Sequence, residues 1–127
     1  MIRGIRGATT TENDQEENVI HATLTLIEDM INKNNIEPEE TASVFISTTD
    51  DLKSVFPAKA LRKIAGWEYV PVMCMQEIPV VDALPQCIRV MVHVNTEKKQ
   101  KEIQHIYHQE AVKLRPDLME ALRKVDN

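Results

Sequence analysis

From Asn13 to Asn35 the apolar residues Val19, Ile20, Leu24, Ile27, Met30 and Ile31 recur every three or four positions, the spacing of one face of an α-helix. Asn13 serves as an N-cap with Glu16 three residues on, and Asn34-Asn35 ends the run. Before this helix, Ile2 and Ile5 with Thr9 to Thr11 suit a short strand in which Gly4 and Gly7 let another backbone approach closely. Val44-Phe45-Ile46 reads as a buried strand ending in the polar turn Thr48 to Asp51. Pro57 opens a short helix that closes at Gly66, Val70 to Met75 is strand-like, and Cys87 to Val94 is the clearest strand of all. From Lys98 to Gln109 the spacing of Ile103, Ile106 and Tyr107 predicts a second amphipathic helix. No repeat or low-complexity linker interrupts the pattern, so the expected fold is α+β in one domain.

Composition narrows the function. A net charge of -5, a pI near 5.4 and 4% aromatic residues leave neither the basic footprint nor the stacking surfaces of a nucleic-acid binder. There is no apolar run of signal-peptide or membrane-span length, and the expected location is cytoplasmic. Cys74 and Cys87 lie within apolar runs and read as two reduced, packed thiols. At 127 residues the chain is short for an enzyme with a cleft between halves, so a site has reason to borrow a wall from a second subunit.

Alternation in the Cys87–Val94 strand places Ile88, Val90, Val92 and Val94 on one face and Cys87, Arg89, Met91 and His93 on the other. Arginine keeps its charge at any accessible pH, so Arg89 needs either a structural carboxylate or an anionic ligand, and the pattern leaves both open. Lys59 and Arg62, three apart in the Pro57 helix, share a face near its N-terminus and suit a bound dianion or a solvated surface. Arg6 between two glycines and Arg115 before Pro116 add isolated cations, and a set of these in an acidic chain suggests a small polyanionic ligand. Glu77, after a strand, suits a loop carboxylate or a partner for developing positive charge. His105 and His108 lack a third metal ligand, no metal site is expected, and nothing marks Cys74 as an activated thiolate.

Six strings, in order, carry a family resemblance: Arg3-Gly4-Ile5-Arg6-Gly7-Ala8-Thr9-Thr10, Phe56-Pro57-Ala58-Lys59-Ala60, Gly66-Trp67 with Tyr69-Val70-Pro71-Val72, Cys74-Met75-Gln76-Glu77, Cys87-Ile88-Arg89-Val90-Met91, and Leu114-Arg115-Pro116-Asp117-Leu118. Together they resemble the AroH-type chorismate mutases over residues 1–118, leaving 119–127 as a loose tail. The resemblance implies a pseudo-α/β-barrel homotrimer, with a mixed sheet and flanking helices in each subunit. It implies isomerisation of chorismate to prephenate, a step of phenylalanine and tyrosine biosynthesis, without a cofactor. It also implies active sites between subunits, with Arg6, Glu77, Arg89, Tyr107, Leu114 and Arg115 from one chain and Phe56, Ala58, Lys59, Arg62, Val72, Met73 and Cys74 from its neighbour. Met73 stands where the family usually has threonine, and Asp82-Ala83 where a glycine turn is common.

In that reading Arg89 faces the ether oxygen of the substrate, Glu77 lies near the ring hydroxyl, and Arg6, Tyr107, Lys59, Arg62 and Arg115 hold carboxylates. Two other classes stand beside it. A trimeric enamine or imine deaminase of the Rid type also holds a carboxylate with a strand arginine, but its motifs are not those of this chain. A non-catalytic module for small carboxylates would bind without turnover.

Overall fold

The computed structural model describes residues 1–114. Five strands, β1 (Ile2–Thr10), β2 (Thr41–Thr48), β3 (Val72–Gln76), β4 (Cys87–Asn95) and β5 (Ile106–Tyr107), form a mixed sheet in the order β3-β2-β4-β1-β5. The central β1–β4 and β4–β2 pairs are antiparallel, and the outer β2–β3 and β1–β5 pairs are parallel. The long helix α1 (Glu16–Asn34) connects β1 to β2 and covers one face of the sheet. A seven-residue 3₁₀ helix, Pro57–Lys63, packs against α1 and β3.

Period-two alternation sorts the core. Ile88, Val90, Val92 and Val94 of β4 point to the covered face with Ile5, Val44 and Ile46, and there they meet Val19, Leu26, Ile27 and Met30 of α1. Gly7 lies where helix and sheet come closest: a Cβ there would stand 2.3 Å from Met30 Sδ, so no side chain fits unless the core shifts. The opposite face carries Arg6, Ala8, Ser43, Phe45, Ser47, Arg89, Met91 and His93; the short 3₁₀ helix Gln109–Lys113 covers only its β1–β5 edge, at Ala8, and the other residues are half-buried. The expected division of β4 into an apolar and a mixed face therefore holds. No helix of the described residues is long and apolar enough to cross a membrane.

Three expectations from the sequence change. α1 starts at Glu16 and is not capped by a side chain; Asn13 Oδ1 instead accepts from the Gln15 backbone N–H and the Asn18 side-chain amide at 3.1 and 2.9 Å. The Pro57 helix does open at Pro57, but it is a 3₁₀ helix and ends at Lys63, before Gly66. The largest change falls on 98–109, which is two 3₁₀ turns flanking β5 rather than a helix. Buried Asn34 exchanges two 2.8 Å hydrogen bonds with the Gln104 backbone, donating to its carbonyl and accepting from its N–H. These long-range bonds take the groups that a helix would have paired locally, and Ile106 and Tyr107 go to opposite faces of the sheet. The helix termination at Asn35 is as expected: its φ of 53° is a left-handed C-terminal conformation that asparagine tolerates.

Candidate functional site

Register assembles one row of side chains across the uncovered face. Tyr107 of β5 lies opposite Ala8 of β1, Ala8 opposite Arg89 of β4, and Arg89 opposite Ser47 of β2. Directly opposed residues share a face, so Tyr107 and Arg89 flank the small side chain of Ala8 on strands about 10 Å apart. Arg6, two residues before Ala8, is on the same face. Glu77 comes in from the end of β3, where its N–H donates to the Thr48 carbonyl at 2.8 Å.

Glu77 Oε2 lies 3.1 Å from Arg89 Nε and accepts from Ser47 Oγ at 3.1 Å, while its Oε1 accepts from the Ile78 N–H at 3.2 Å. The carboxylate is thereby fixed between a cation, a hydroxyl and a backbone amide. Distance makes Arg89 and Glu77 an ion pair, but Nε–H is not aimed at the carboxylate, and this buried nitrogen has no hydrogen-bond acceptor among the described residues. Tyr107, only 5% exposed, has a buried hydroxyl in the same condition. An unmet buried polar group costs about 1–3 kcal/mol, so two such donors on one row, without an acceptor among the described residues, make this row the candidate site. Tyr107 packs with Ala8 and Ala111, and Leu84 and Leu114 close that apolar patch.

Cys87 is 1% exposed and lies two residues before Arg89. Burial pushes its thiol up from the ordinary range, partly offset by the Arg89 charge, so it remains a neutral packing group.

A second set of the expected residues gathers elsewhere. Phe56, Lys59 and Cys74 line a cleft of about 800 Å³ together with Glu16, Val55 and Gln76. Cys74 points to the helix-covered side of β3, because it lies opposite Ile46, while Met73 lies opposite Phe45 on the uncovered face. Val72 shares the Cys74 side, Ala58 is half-buried against the core, and Arg62 is exposed outside the lining of the cleft. The structure thus brings Arg6, Glu77, Arg89, Tyr107 and Leu114 to one region, and Phe56, Lys59 and Cys74 to another, with the sheet between Cys74 and the Arg89 row. Arg115 lies outside the described residues.

Three residues not anticipated from the sequence shape these regions: Ser47, which orients Glu77; Glu16, whose Oε1 is 3.1 Å from Lys59 Nζ; and Asp14. Ser47 could have been found from strand alternation once β2 was registered against β4, whereas nothing in the sequence pairs Glu16 with Lys59. Asp14 Oδ2 and Oδ1 accept the backbone N–H groups of Lys53 and Ser54 at 2.9 and 3.1 Å, fixing the loop that leads to Phe56. The Lys53 amide, ahead of the opposing effect of desolvation and with help from Ser54, holds the Asp14 carboxyl below its ordinary value. A lowered folded value means stabilisation that is present above the ordinary carboxylate range and lost as pH falls through the folded value. Replacing Asp14 with alanine should cut amide-exchange protection at Lys53 and Ser54 by about tenfold, and acidification should do the same in the unaltered protein. Unchanged protection factors would show that Asp14 does not hold the loop.

Comparison with known proteins identifies the family. The family described as chorismate mutase type I matches residues 2–118. Chorismate mutase AroH of Bacillus subtilis is 52% identical over 118 residues, covering 93% of each chain. Chorismate mutase AroH of Thermus thermophilus is 46% identical over 122 residues, 95% of this chain and 99% of that one. Among solved structures, a chorismate mutase from Clostridium thermocellum superposes with a TM-score of 0.83 at 41% identity, covering 86% of this chain and 96% of the other.

Proposed function

The chain belongs to the type I chorismate mutases and isomerises chorismate to prephenate, and from that premise we propose that it does so at a site assembled from two subunits of a homotrimer, with Arg89 as the main electrostatic catalyst. The observation that carries the site assignment is a pair of buried donors, Arg89 Nε–H and Tyr107 O–H, that have no hydrogen-bond acceptor among the described residues and lie on one row of one sheet face.

The reaction breaks an ether C–O bond as a C–C bond forms within one molecule. No nucleophile, proton transfer or redox step is required, so the work of the chain is to hold a flexible dianion in a reactive fold and to stabilise charge. As the ether bond stretches, negative charge gathers on the enolpyruvyl oxygen and the ring becomes electron-poor. Arg89 serves the oxygen, and Glu77, held by Ser47 and the Ile78 amide, faces the ring and its hydroxyl. Arg6 and Tyr107 hold one carboxylate. Leu114 borders the Tyr107 patch, and the family resemblance gives Arg115 a carboxylate-holding role.

Lys59, Arg62, Phe56, Ala58, Val72, Met73 and Cys74 come from the neighbouring subunit in this reading. Its support is geometric: within one chain, Lys59 and Cys74 open into a cleft on the helix side of β3, while Arg89 is on the other side of the sheet. The uncovered face, with Phe45, Met73, Met75 and Met91, and the exposed Ile78, Val80 and Val81 near it in sequence suit burial against another copy. A head-to-tail ring of three such subunits closes into a trimer and builds a pseudo-α/β-barrel around the sheets. We place the enzyme in the cytoplasm.

The direct test is loss of chorismate absorbance, with prephenate confirmed by acid conversion to phenylpyruvate. The rate should be unchanged after dialysis against a chelator, since the chemistry needs no Lewis acid. Saturable binding without turnover would overturn the reading.

A further inference from the structure

We infer that His105 is a positioning residue for the carboxylate-holding side of the site, replacing a missing rung of the sheet between Arg6 and Tyr107. The inference rests on the site reading above, in which Arg6 and Tyr107 hold one carboxylate.

β5 is two residues long and joins β1 through only the Gly7–Ile106 and Ala8–Tyr107 pairs. The C-terminal end of this short ladder is ordinary: the His108 N–H donates to the Ala8 carbonyl at 2.9 Å. One rung earlier, a parallel ladder would send the Arg6 N–H to the Gln104 carbonyl. That carbonyl instead accepts from Asn34 Nδ2 at 2.8 Å, because Asn34 at the end of α1 clamps both backbone groups of Gln104. The Arg6 N–H goes to His105 Nδ1 at 3.0 Å. A side-chain nitrogen therefore stands where a backbone oxygen would be, and the bond joins Arg6 to the residue two before Tyr107. It also fixes the ring: Nδ1 must present its lone pair, so the proton is on Nε2.

Without this bond the Arg6 amide would be left unpaired at a part-buried position, and the two-residue β5 ladder would lose its first contact with β1. Tyr107 depends on β5 for its seat beside Ala8, since its hydroxyl has no partner among the described residues to hold it. The effect belongs to binding, because the Arg89–Glu77 pair is attached to β4 and β3 rather than to β5.

Two substitutions test this. His105→Leu removes the acceptor, and KM should rise about tenfold with kcat within about threefold. His105→Asn places Oδ1 where Nδ1 was and should keep both constants within about threefold of the unaltered enzyme. In a Tyr107→Phe background the loss caused by His105→Leu should shrink, since the two changes disturb one unit. A purely structural role would lower the melting temperature of the leucine variant without this KM-selective, Tyr107-dependent loss. Should the leucine variant fail to fold, ¹⁵N spectra of the unaltered protein decide: a hydrogen-bonded, unprotonated Nδ1 with protonated Nε2 supports the inference, and the opposite tautomer overturns it. Equal impairment by asparagine and leucine, or a leucine variant with unchanged KM, overturns it as well. If Tyr107→Phe alone leaves KM unchanged, the carboxylate-holding role of Tyr107 falls, and the inference falls with it.

Discussion

Replacing Arg89 with citrulline, a neutral side chain of the same shape, should lower kcat at least about 10³-fold while KM changes far less. A neutral oxyanion donor is worth about 10²–10³ in rate in other enzymes, and hydrogen bonds from charged donors are roughly twice as strong. Arg89 supplies such a donor from a half-buried position on a central strand, with a counter-ion in Glu77 and, among the described residues, no hydrogen-bond acceptor for its buried Nε–H. Charge on the ether oxygen develops mostly in the transition state, which is why the loss should appear in kcat rather than in substrate binding. Arg89→Lys keeps the charge but not the planar fork, so its rate should be intermediate. Steady-state kinetics with chorismate, alongside urea unfolding to show that the variants fold, make the measurement. A kcat within tenfold of the unaltered enzyme, with only KM raised, would make Arg89 a binding residue and move the catalytic assignment elsewhere.

The same residue shows how far the sequence could be read. One arginine within an otherwise apolar alternation demanded an acceptor, and the alternation itself gave the two faces of β4 that the structure has. What the sequence could not supply was the partner: with 20 carboxylates in the chain, only the register of β4 against β2 and the turn after β3 select Glu77 as the counter-ion and Ser47 as its support. The segment from Lys98 to Gln109 failed for a related reason. Ile103, Ile106 and Tyr107 fit a helix by spacing, but short apolar runs do not distinguish a helix from a strand. Asn34 decides it from 70 residues away by clamping Gln104. Asp14 and Glu16 were likewise silent, because their partners Lys53, Ser54 and Lys59 are distant in sequence. Local pattern reached the elements and the isolated charge; long-range hydrogen bonds fixed what that charge meets.

Mixing two inactive variants should restore activity if each site takes walls from two subunits. Arg89→Ala disables the wall made by the uncovered face, and Lys59→Ala with Arg62→Ala disables the wall made by the 3₁₀ helix Pro57–Lys63 and its surroundings. Each homotrimer alone should be almost inactive, since every site lacks one wall. In a head-to-tail ring, an intact site needs the lysine-and-arginine wall from one subunit and the Arg89 wall from the next, so the neighbours must be of opposite variant in one order. After reversible unfolding and equal, random mixing, that arrangement occurs at about a quarter of the sites, and about a quarter of the unaltered activity should return. The sheet between Lys59 and Arg89 within one chain is what makes the outcome informative, because a site contained in a single subunit would remain damaged in every hybrid. Native mass spectrometry identifies hybrids if one variant carries an added mass tag. Hybrid trimers with no more activity than their two parents would require the composite site to be abandoned, and Lys59 and Arg62 would then have no place in the machinery that Arg89 serves.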